Sequence, residues 1–398
     1  MDPSVRVRLH QHLLGLCLIS AVTSCAGSLE TRSHSSLRQF EDERALAAPP
    51  KEVPQFDGTL AGYLAFALKH SPETRAAFER WRASALRISR TRRLPEPTLS
   101  FGYFIRSVET RVGPQRFKVG VSQMFPWPTK LSAAADAASE RANAAQRAVD
   151  AELLRVKRDV AAAYWTLWLI EEEHRLKTEH DAVLESLAGA VRGRLKTGAA
   201  TLADLNQIEL NIARHHDHRG KHKEARRKVS ARLLAAMGVT GAGNEMRATD
   251  TPNAGLPEAS AAALRDKART HPRIAMHDHL ALGEESRARA ERGDRFPKIR
   301  VGVDFIETGE AAMAGVPDSG KDPLIVSAGL SIPLWAGSYS DAENSARAAA
   351  RAHRADQEAA TRRAEGAFDG VLSDLRDAQR RIELYEKTLV PQAETTFQ

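Results

Sequence analysis

The chain has 398 residues, of which 27% are charged and only 6% aromatic. Its richness in Ala, Arg, Glu and Leu argues against one large globular core and favours long helices. The formal net charge of +7 comes from Lys and Arg spread among 51 acidic residues, without the basic stripe that a nucleic-acid binder presents, so no nucleic-acid partner is expected.

At the N-terminus, Arg6 and Arg8 precede an apolar run from Leu13 to Val22. The run is about half the roughly 20 residues that a spanning helix needs. It ends in Val22-Thr23-Ser24-Cys25. Small residues before a cysteine, just past an export core, predict a lipoprotein signal peptide over 1–24, cleavage before Cys25, and acylation of that cysteine, palmitate included. An ordinary signal peptide cut near Ala26 is the alternative. Cys17 lies in the leader, so the mature chain keeps one cysteine and forms no internal disulfide. By resemblance to Gram-negative lipoproteins, Ala26 in place of Asp favours the outer membrane. Residues 25–55 read as a linker.

The rest of the chain is a repeat. One copy starts at Pro72 and the other at Pro272, each where a helix can begin. Each helix stops at a proline, at Leu94-Pro95 or Phe296-Pro297. Alternating segments follow. Leu99, Phe101, Tyr103 and Ile105 alternate with Ser100 and Gly102, and Phe117, Val119 and Val121 alternate with Lys118, Gly120 and Ser122. In the second copy Ile299, Val301, Val303 and Phe305 alternate with Arg300, Gly302 and Asp304, and Leu324, Val326, Ala328, Leu330 and Ile332 alternate with Ser327, Gly329 and Ser331. These predict two β-hairpins, about 98–124 and 298–333, with polar loops at roughly 107–115 and 308–322. Strands of about ten residues with one apolar face match membrane-spanning β-strands. Sandwich strands alternate too, but nothing else in the chain reads as a sheet able to cover the apolar face.

Each hairpin leads through proline and tryptophan into a helix: Pro126-Trp127-Pro128 in the first copy, Pro333 and Trp335 in the second. These five residues predict a joint between strand and helix, with the tryptophans at the level of an interfacial aromatic belt. From Thr129 to Lys196 there is no proline, so one helix of roughly 100 Å is expected. Leu153, Val156, Val160 and Leu167, then Leu184, Leu187, Val191 and Leu195, form a coiled-coil seam. The helix ends at a tip, Thr197-Gly198-Ala199-Ala200-Thr201-Leu202. Gly198 suits the position after a helix end. Thr201 can cap the returning helix, with Asp204 at its third position. That helix runs to about Met237, making a helical hairpin over 129–237. The first repeat spans 56–240, a linker 241–257, and the second repeat 258–398, with its long helix from about Tyr339 to near Leu389.

In order, Leu94-Pro95 into a hairpin, Val121-Ser122-Gln123 into a long helix, Ala163-Tyr164 midway, and Gly198, Leu202 and Asp204-Leu205 at the tip resemble the TolC-like outer membrane efflux family over about 55–398. Phe125 to Pro128 resembles a segment frequent in its metal-efflux branch. The fold class implied is mainly α with a small β part: long coiled-coil hairpins plus four membrane strands per chain, three chains sharing a twelve-stranded β-barrel above an α-helical tunnel. The resemblance implies an outer membrane channel, lipid-anchored and extending into the periplasm. It acts as a passive exit duct for a tripartite efflux system. The implied partners are a homotrimer, outer membrane lipid, a periplasmic adaptor that contacts Thr197, Gly198, Ala199, Ala200, Thr201, Leu202 and Asp204, and an inner-membrane pump of the RND type. In that family the second long helix also reaches a tip and returns. This sequence is expected to be truncated before its return helix, and a chain of that extent is expected to assemble poorly. A periplasmic coiled-coil adaptor or scaffold lipoprotein without a barrel is the alternative.

Other chemistry is thin. His215, His218 and His222 share an i, i+3, i+7 spacing and are weak metal-site candidates, but Arg214 and Arg219 among them repel a cation, so no metal is expected. Glu171 to Glu173, and Asp181 with Glu185, read as solvated charges. No phosphate loop, nucleophile elbow or zinc-protease signature occurs, so neither an enzyme nor a cofactor is expected.

Overall fold

The computed structural model describes residues 28–44, 46–47, 54–239, 246–253, 255, 257 and 259–397. In chain order the elements are α1 (Ser28–Arg44), α2 (Leu60–His70), α3 (Pro72–Arg92), β1 (Thr98–Tyr103), β2 (Glu109–Thr110), β3 (Gly113–Phe125), α4 (Pro128–Lys196), α5 (Leu202–Ala236), α6 (Ala261–Arg269), α7 (Pro272–Gly293), β4 (Ile299–Thr308), β5 (Leu324–Leu330), α8 (Ala336–Leu384), a π-helical turn (Tyr385–Leu389) and α9 (Val390–Phe397). The chain is mainly helical with one small antiparallel sheet.

Two compact units emerge. One takes the described parts of Met1–Gln39 with Arg82–Asn143 and Asp278–Ala355; the other takes Phe40–Trp81, Ala144–His277 and Asp356–Gln398. Each draws on both halves of the chain, so neither coincides with one sequence repeat.

The second unit holds the larger apolar core. Val156, Val160, Tyr164 and Leu167 of α4 pack with Val229, Leu233, Leu234 and Met237 at the end of α5 and with Tyr63 and Ala67 of α2. The stretch 246–250, read as plain linker, is knitted into this core. Met246 is buried within it. The Tyr63 hydroxyl donates to the Arg247 carbonyl at 3.0 Å. The Tyr164 hydroxyl donates to the Gly58 carbonyl at 3.0 Å and accepts from the Asp250 N–H at 2.9 Å. The Thr249 N–H reaches the same Gly58 carbonyl at 3.0 Å. Gly58 has φ +85°, and a Cβ there would lie 2.8 Å from Thr249 Cγ2, so glycine is required. The segment 25–55 likewise contains α1, whose Phe40 stacks on Phe78 at 5.1 Å and meets Trp81 edge-on at 5.4 Å. Polar composition hid both features, because a few buried groups hold each segment.

The seam along α4 divides in two. Leu153, Val156, Val160 and Leu167 are buried, as expected. Further out, Leu184, Val191 and Leu195 are half-buried and Leu187 is exposed. Among the described residues α5 is what meets that stretch, through Arg192 with Glu209 and Asp181 with His215, and these contacts between the two helices are polar. The last helix also departs from expectation, since it does not stop near Leu389. It passes through the π-helical turn into α9, with the Val390 N–H bonded to the Tyr385 carbonyl. Widening the turn makes room for the ring of Pro391, which clashes with the carbonyl four residues back in a regular helix.

In the first unit, α4 and α7 approach closely through small residues. A Cβ on Gly293 would lie 2.8 Å from Lys130 Cβ, and one on Gly283 would sit 3.5 Å from the Ala137 carbonyl oxygen. Ala133, Ala137, Ala281 and Ala288 are buried. Polar links fasten the pair: Arg141 to Glu284 at 2.8 Å and His279 Nδ1 to Glu140 at 2.7 Å. The hydrogen bond to His279 holds the Glu140 carboxyl below its usual range.

Tyr164→Phe is expected to cost about 1–2 kcal/mol, because it leaves the half-buried Asp250 N–H unpaired and takes one of two donors from the buried Gly58 carbonyl. Thermal unfolding with hydrogen exchange at Asp250 checks this; an unchanged midpoint with unchanged exchange would rule it out.

Candidate functional site

The sheet has the strand order β1–β3–β4–β5, with the two-residue β2 pairing beside β3. All pairings are antiparallel. The two hairpins of the sequence reading are therefore joined edge to edge by β3 and β4. Strand ends differ slightly from expectation: β3 reaches back into the loop read over 107–115, and β5 ends at Leu330, short of Ile332.

Register sorts the side chains onto two faces. Leu99 opposes Val121, Val121 opposes Val303, and Val303 opposes Val326. One step along, Ser100 opposes Gly120, Gly120 opposes Asp304, and Gly302 opposes Ser327. The first face is apolar throughout its middle and bare: Leu99, Phe101, Tyr103, Val121, Val303, Leu324 and Val326 are exposed, several above two-thirds. The second face is mostly small and polar, with Met124, Ile306 and Ile325 toward its ends and edge. Gly120 is essential to it. A Cβ at that position would lie 2.1 Å from Asp304 Oδ1, so the absent side chain is the space that the carboxylate fills. Lys118 Nζ meets the same carboxylate at 3.1 Å. A sheet with one bare apolar face and one small polar face can sit between lipid and water.

Where strands become helices, Trp127 stacks on Phe296 with ring centroids 4.6 Å apart and planes at 16°. Pro126 ends β-pairing, and Pro128 opens α4, with the Lys130 N–H bonded to the Trp127 carbonyl at 3.0 Å. Lys130 Nζ reaches Asp294 at 2.5 Å, which fixes the same junction electrostatically. Trp335 and Pro333 occupy the corresponding place between β5 and α8, but Trp335 is 73% exposed. The two tryptophans thus share a position and differ in surroundings. Phe296 was missed as Trp127's partner, although the Phe296-Pro297 helix stop marks its place.

At the other candidate site, Thr197, Gly198, Ala199 and Ala200 turn the chain between α4 and α5. Gly198 has φ +71°, in the left-handed region. The Ala199 N–H bonds the Arg194 carbonyl at 2.8 Å, closing the end of α4. Thr201 and Asp204 form a full capping box: the Thr201 hydroxyl accepts from the Asp204 N–H, and the Asp204 carboxylate accepts from the Thr201 N–H at 2.9 Å. These bonds hold the Asp204 carboxyl below its usual range, the backbone N–H of Thr201 contributing most. Leu202 is 61% exposed, so the tip presents an apolar side chain to its surroundings.

The histidines of α5 disperse. His215 Nδ1 lies 2.8 Å from Asp181. His222 Nε2 lies 3.1 Å from Lys177 Nζ, and its Nδ1 is 4.0 Å from Glu173. His218 is exposed. The three do not converge on one point, so their spacing makes no metal centre. His215 and His222 face α4 instead, where His180 meets His215 edge-on at 4.7 Å and His174 lies 6.2 Å from His222. Glu171, read as solvated, braces the hairpin, bonding Arg226 at 3.3 Å and the Ala248 N–H at 3.1 Å, while Glu173 is exposed. Burial lowers the His222 pKa, helped by Lys177, His174 and His218 and opposed by Glu173. Cys25, the lipidation candidate, lies outside the described residues.

No family model matches the chain, and no curated protein matches it. Solved structures do. The chain is similar to CusC, from a study of conformational changes accompanying folding and transmembrane channel formation, at 16% identity, TM-score 0.64 and 88% coverage of each chain. It is similar to the outer membrane protein VceC of Vibrio cholerae, at 18% identity and TM-score 0.64, over 84% of this chain and 83% of that one. For the CmeC outer membrane channel of Campylobacter jejuni the values are 13% and 0.65, over 89% and 80%. The chain therefore has the fold of outer membrane channel proteins, the fold that the ordered repeats resemble.

Two expectations follow. Thr201→Ala removes the cap and is expected to cost about 1 kcal/mol locally, read as faster hydrogen exchange over the first turn of α5; unchanged exchange there counts against the cap. Because its folded pKa lies below 6.5, His222 contributes stability at neutral pH that is lost as pH falls through 6.5 toward the folded value. An NMR titration should give a midpoint below 6.5, and Lys177→Ala should raise it; a midpoint at or above 6.5 contradicts the packing described.

Proposed function

We propose that this chain is the outer membrane channel component of a tripartite efflux system, a passive exit duct whose substrate is driven by an inner-membrane pump through a periplasmic adaptor. The observation that carries this reading is the bare apolar face of the sheet. Among the described residues nothing covers it, and a lipid bilayer can. Among the described residues no helix is long and apolar enough to cross a membrane, so in this reading the sheet is what spans.

Four long strands have two open edges, and an open edge leaves unpaired backbone groups in hydrocarbon. Three copies contribute twelve strands and close the barrel, which supports a homotrimer. The long hairpin of α4 and α5 would extend into the periplasm, its tip from Thr197 to Asp204 meeting the adaptor. Acylation of Cys25 would add a lipid anchor. The solved channels of this fold support the same reading. A periplasmic adaptor or scaffold lipoprotein would have no use for a two-faced sheet with an uncovered apolar side.

Adjacent residues on opposite faces test the proposal. In a Cys25→Ala background, which removes the anchor, the protein should stay in outer membranes after carbonate extraction. Val326→Lys puts a charge on the lipid face at about 2–4 kcal/mol and should release it, whereas Ser327→Lys on the polar face should not. Release of the Cys25→Ala protein itself sinks the barrel reading and favours the scaffold.

A further inference from the structure

The polar face of the four long strands carries three charged side chains in register: Lys118, Asp304 and Arg300. Lys118 and Asp304 neutralise each other at 3.1 Å. Arg300 is different. It opposes Met124 on one side and Gly329 on the other. It is exposed, and among the described residues no carboxylate lies within ion-pair distance of it. The nearest acid on its own face, Asp304, is four residues along β4, about 13 Å away at strand rise, and is already held by Lys118. A Cβ added at Gly329 would stand 3.7 Å from Arg300 Cβ, so glycine there leaves the guanidinium unobstructed on the β5 side. Its other near neighbours on this face, Gly302 and Ser327, are small.

We infer that Arg300 gives the polar face a local excess of positive charge and biases passage along it toward small organic anions such as carboxylates and phosphates. This rests on the duct reading, in which copies of the chain close into one barrel and repeat Arg300 at one level. A ring of like charges around a water-filled passage attracts counter-ions and repels co-ions in a salt-dependent way. Arg300 sits on the second residue of β4, beside the strand–helix junction, so the ring would lie at the entrance to the sheet from the helices.

The test uses the full chain in outer membranes with a cysteine at Gly329. Gly329→Cys is probed at low salt with two small methanethiosulfonate reagents, the anionic sulfonatoethyl and the cationic trimethylammonioethyl compound. The parent chain serves as background. With each rate divided by that reagent's rate on a free small thiol, the anionic reagent should gain on the cationic one by about six- to sevenfold, for unit charges roughly 7–8 Å apart in water. Arg300→Gln should abolish the preference, Arg300→Lys should keep it, and added salt should reduce it. Equal normalised rates in Gly329→Cys, or a preference that survives Arg300→Gln, overturn the inference and leave the duct reading standing. If Gly329→Cys resists both reagents while Val301→Cys on the apolar face reacts, the faces are the wrong way round and both readings fail.

Discussion

Everything about the sheet depends on the register between β3 and β4. It joins the first half of the chain to the second, and it is fixed by a vacancy: Gly120 has no side chain, and the Asp304 carboxylate occupies that space while paired with Lys118. Side chains alternate with a period of two, so a slip of one residue would turn Val301, Val303 and Phe305 to the face now lined with glycine and serine. Apolar patterning alone would resist such a slip. The Gly120–Asp304 fit adds a steric preference, since Gly120 alone lacks a Cβ among the β3 residues paired with β4. A sheet so fixed can present one uniform surface to lipid and another to water.

The helices are held by a different balance. Near the base of α4 and α5, aromatic and aliphatic side chains pack to full burial around Tyr164 and Leu233. Toward the tip the bonds become polar: Arg226 with Glu171, His215 with Asp181, and Arg192 with Glu209 at 2.8 Å. The Arg192–Glu209 pair is exposed, and such pairs contribute between nothing and about 1 kcal/mol each. The hairpin is thus firm at one end and lightly braced at the other, where half-buried leucines and valines still lack cover. Such a hairpin gains most from neighbours packed along its outer half.

Much of this was legible in the sequence, and the reasons are local. Period-two alternation gave the strands, proline gave the helix starts and stops, and Gly198, Thr201 and Asp204 gave the tip down to its capping box. What escaped was non-local. That α1 is a helix with Phe40 stacked on Phe78, that 246–250 completes the core through Tyr63 and Tyr164, and that Trp127 stacks on Phe296 all depend on partners far along the chain. No periodicity marks them. The partners of the histidine cluster were hidden for the same reason: spacing put His215, His218 and His222 near one another on α5, but each takes its partner, or none, from what lies opposite.

Strand direction bears on how copies would close a barrel. With every pairing antiparallel, β1 and β4 run one way while β3 and β5 run the other. The open edges, β1 and β5, are therefore antiparallel to each other. The β5 edge of one copy can pair with the β1 edge of the next in the same sense as all pairs within the chain, so a ring of any number of copies closes without a parallel joint. Two copies would make eight strands, and the interior of such a barrel must be filled by its own side chains. The inward face here offers Ser100, Gly102, Gly120, Ser122, Gly302, Ser327 and Gly329, with Met124, Ile306 and Ile325 as its large apolar side chains and charges at Lys118, Asp304 and Arg300. Glycine and serine cannot fill that space, and an unneutralised arginine cannot be buried in it without a large desolvation cost. A polar face this thin is suited to a wider barrel with water inside, which is why three copies fit the inward residues better than two.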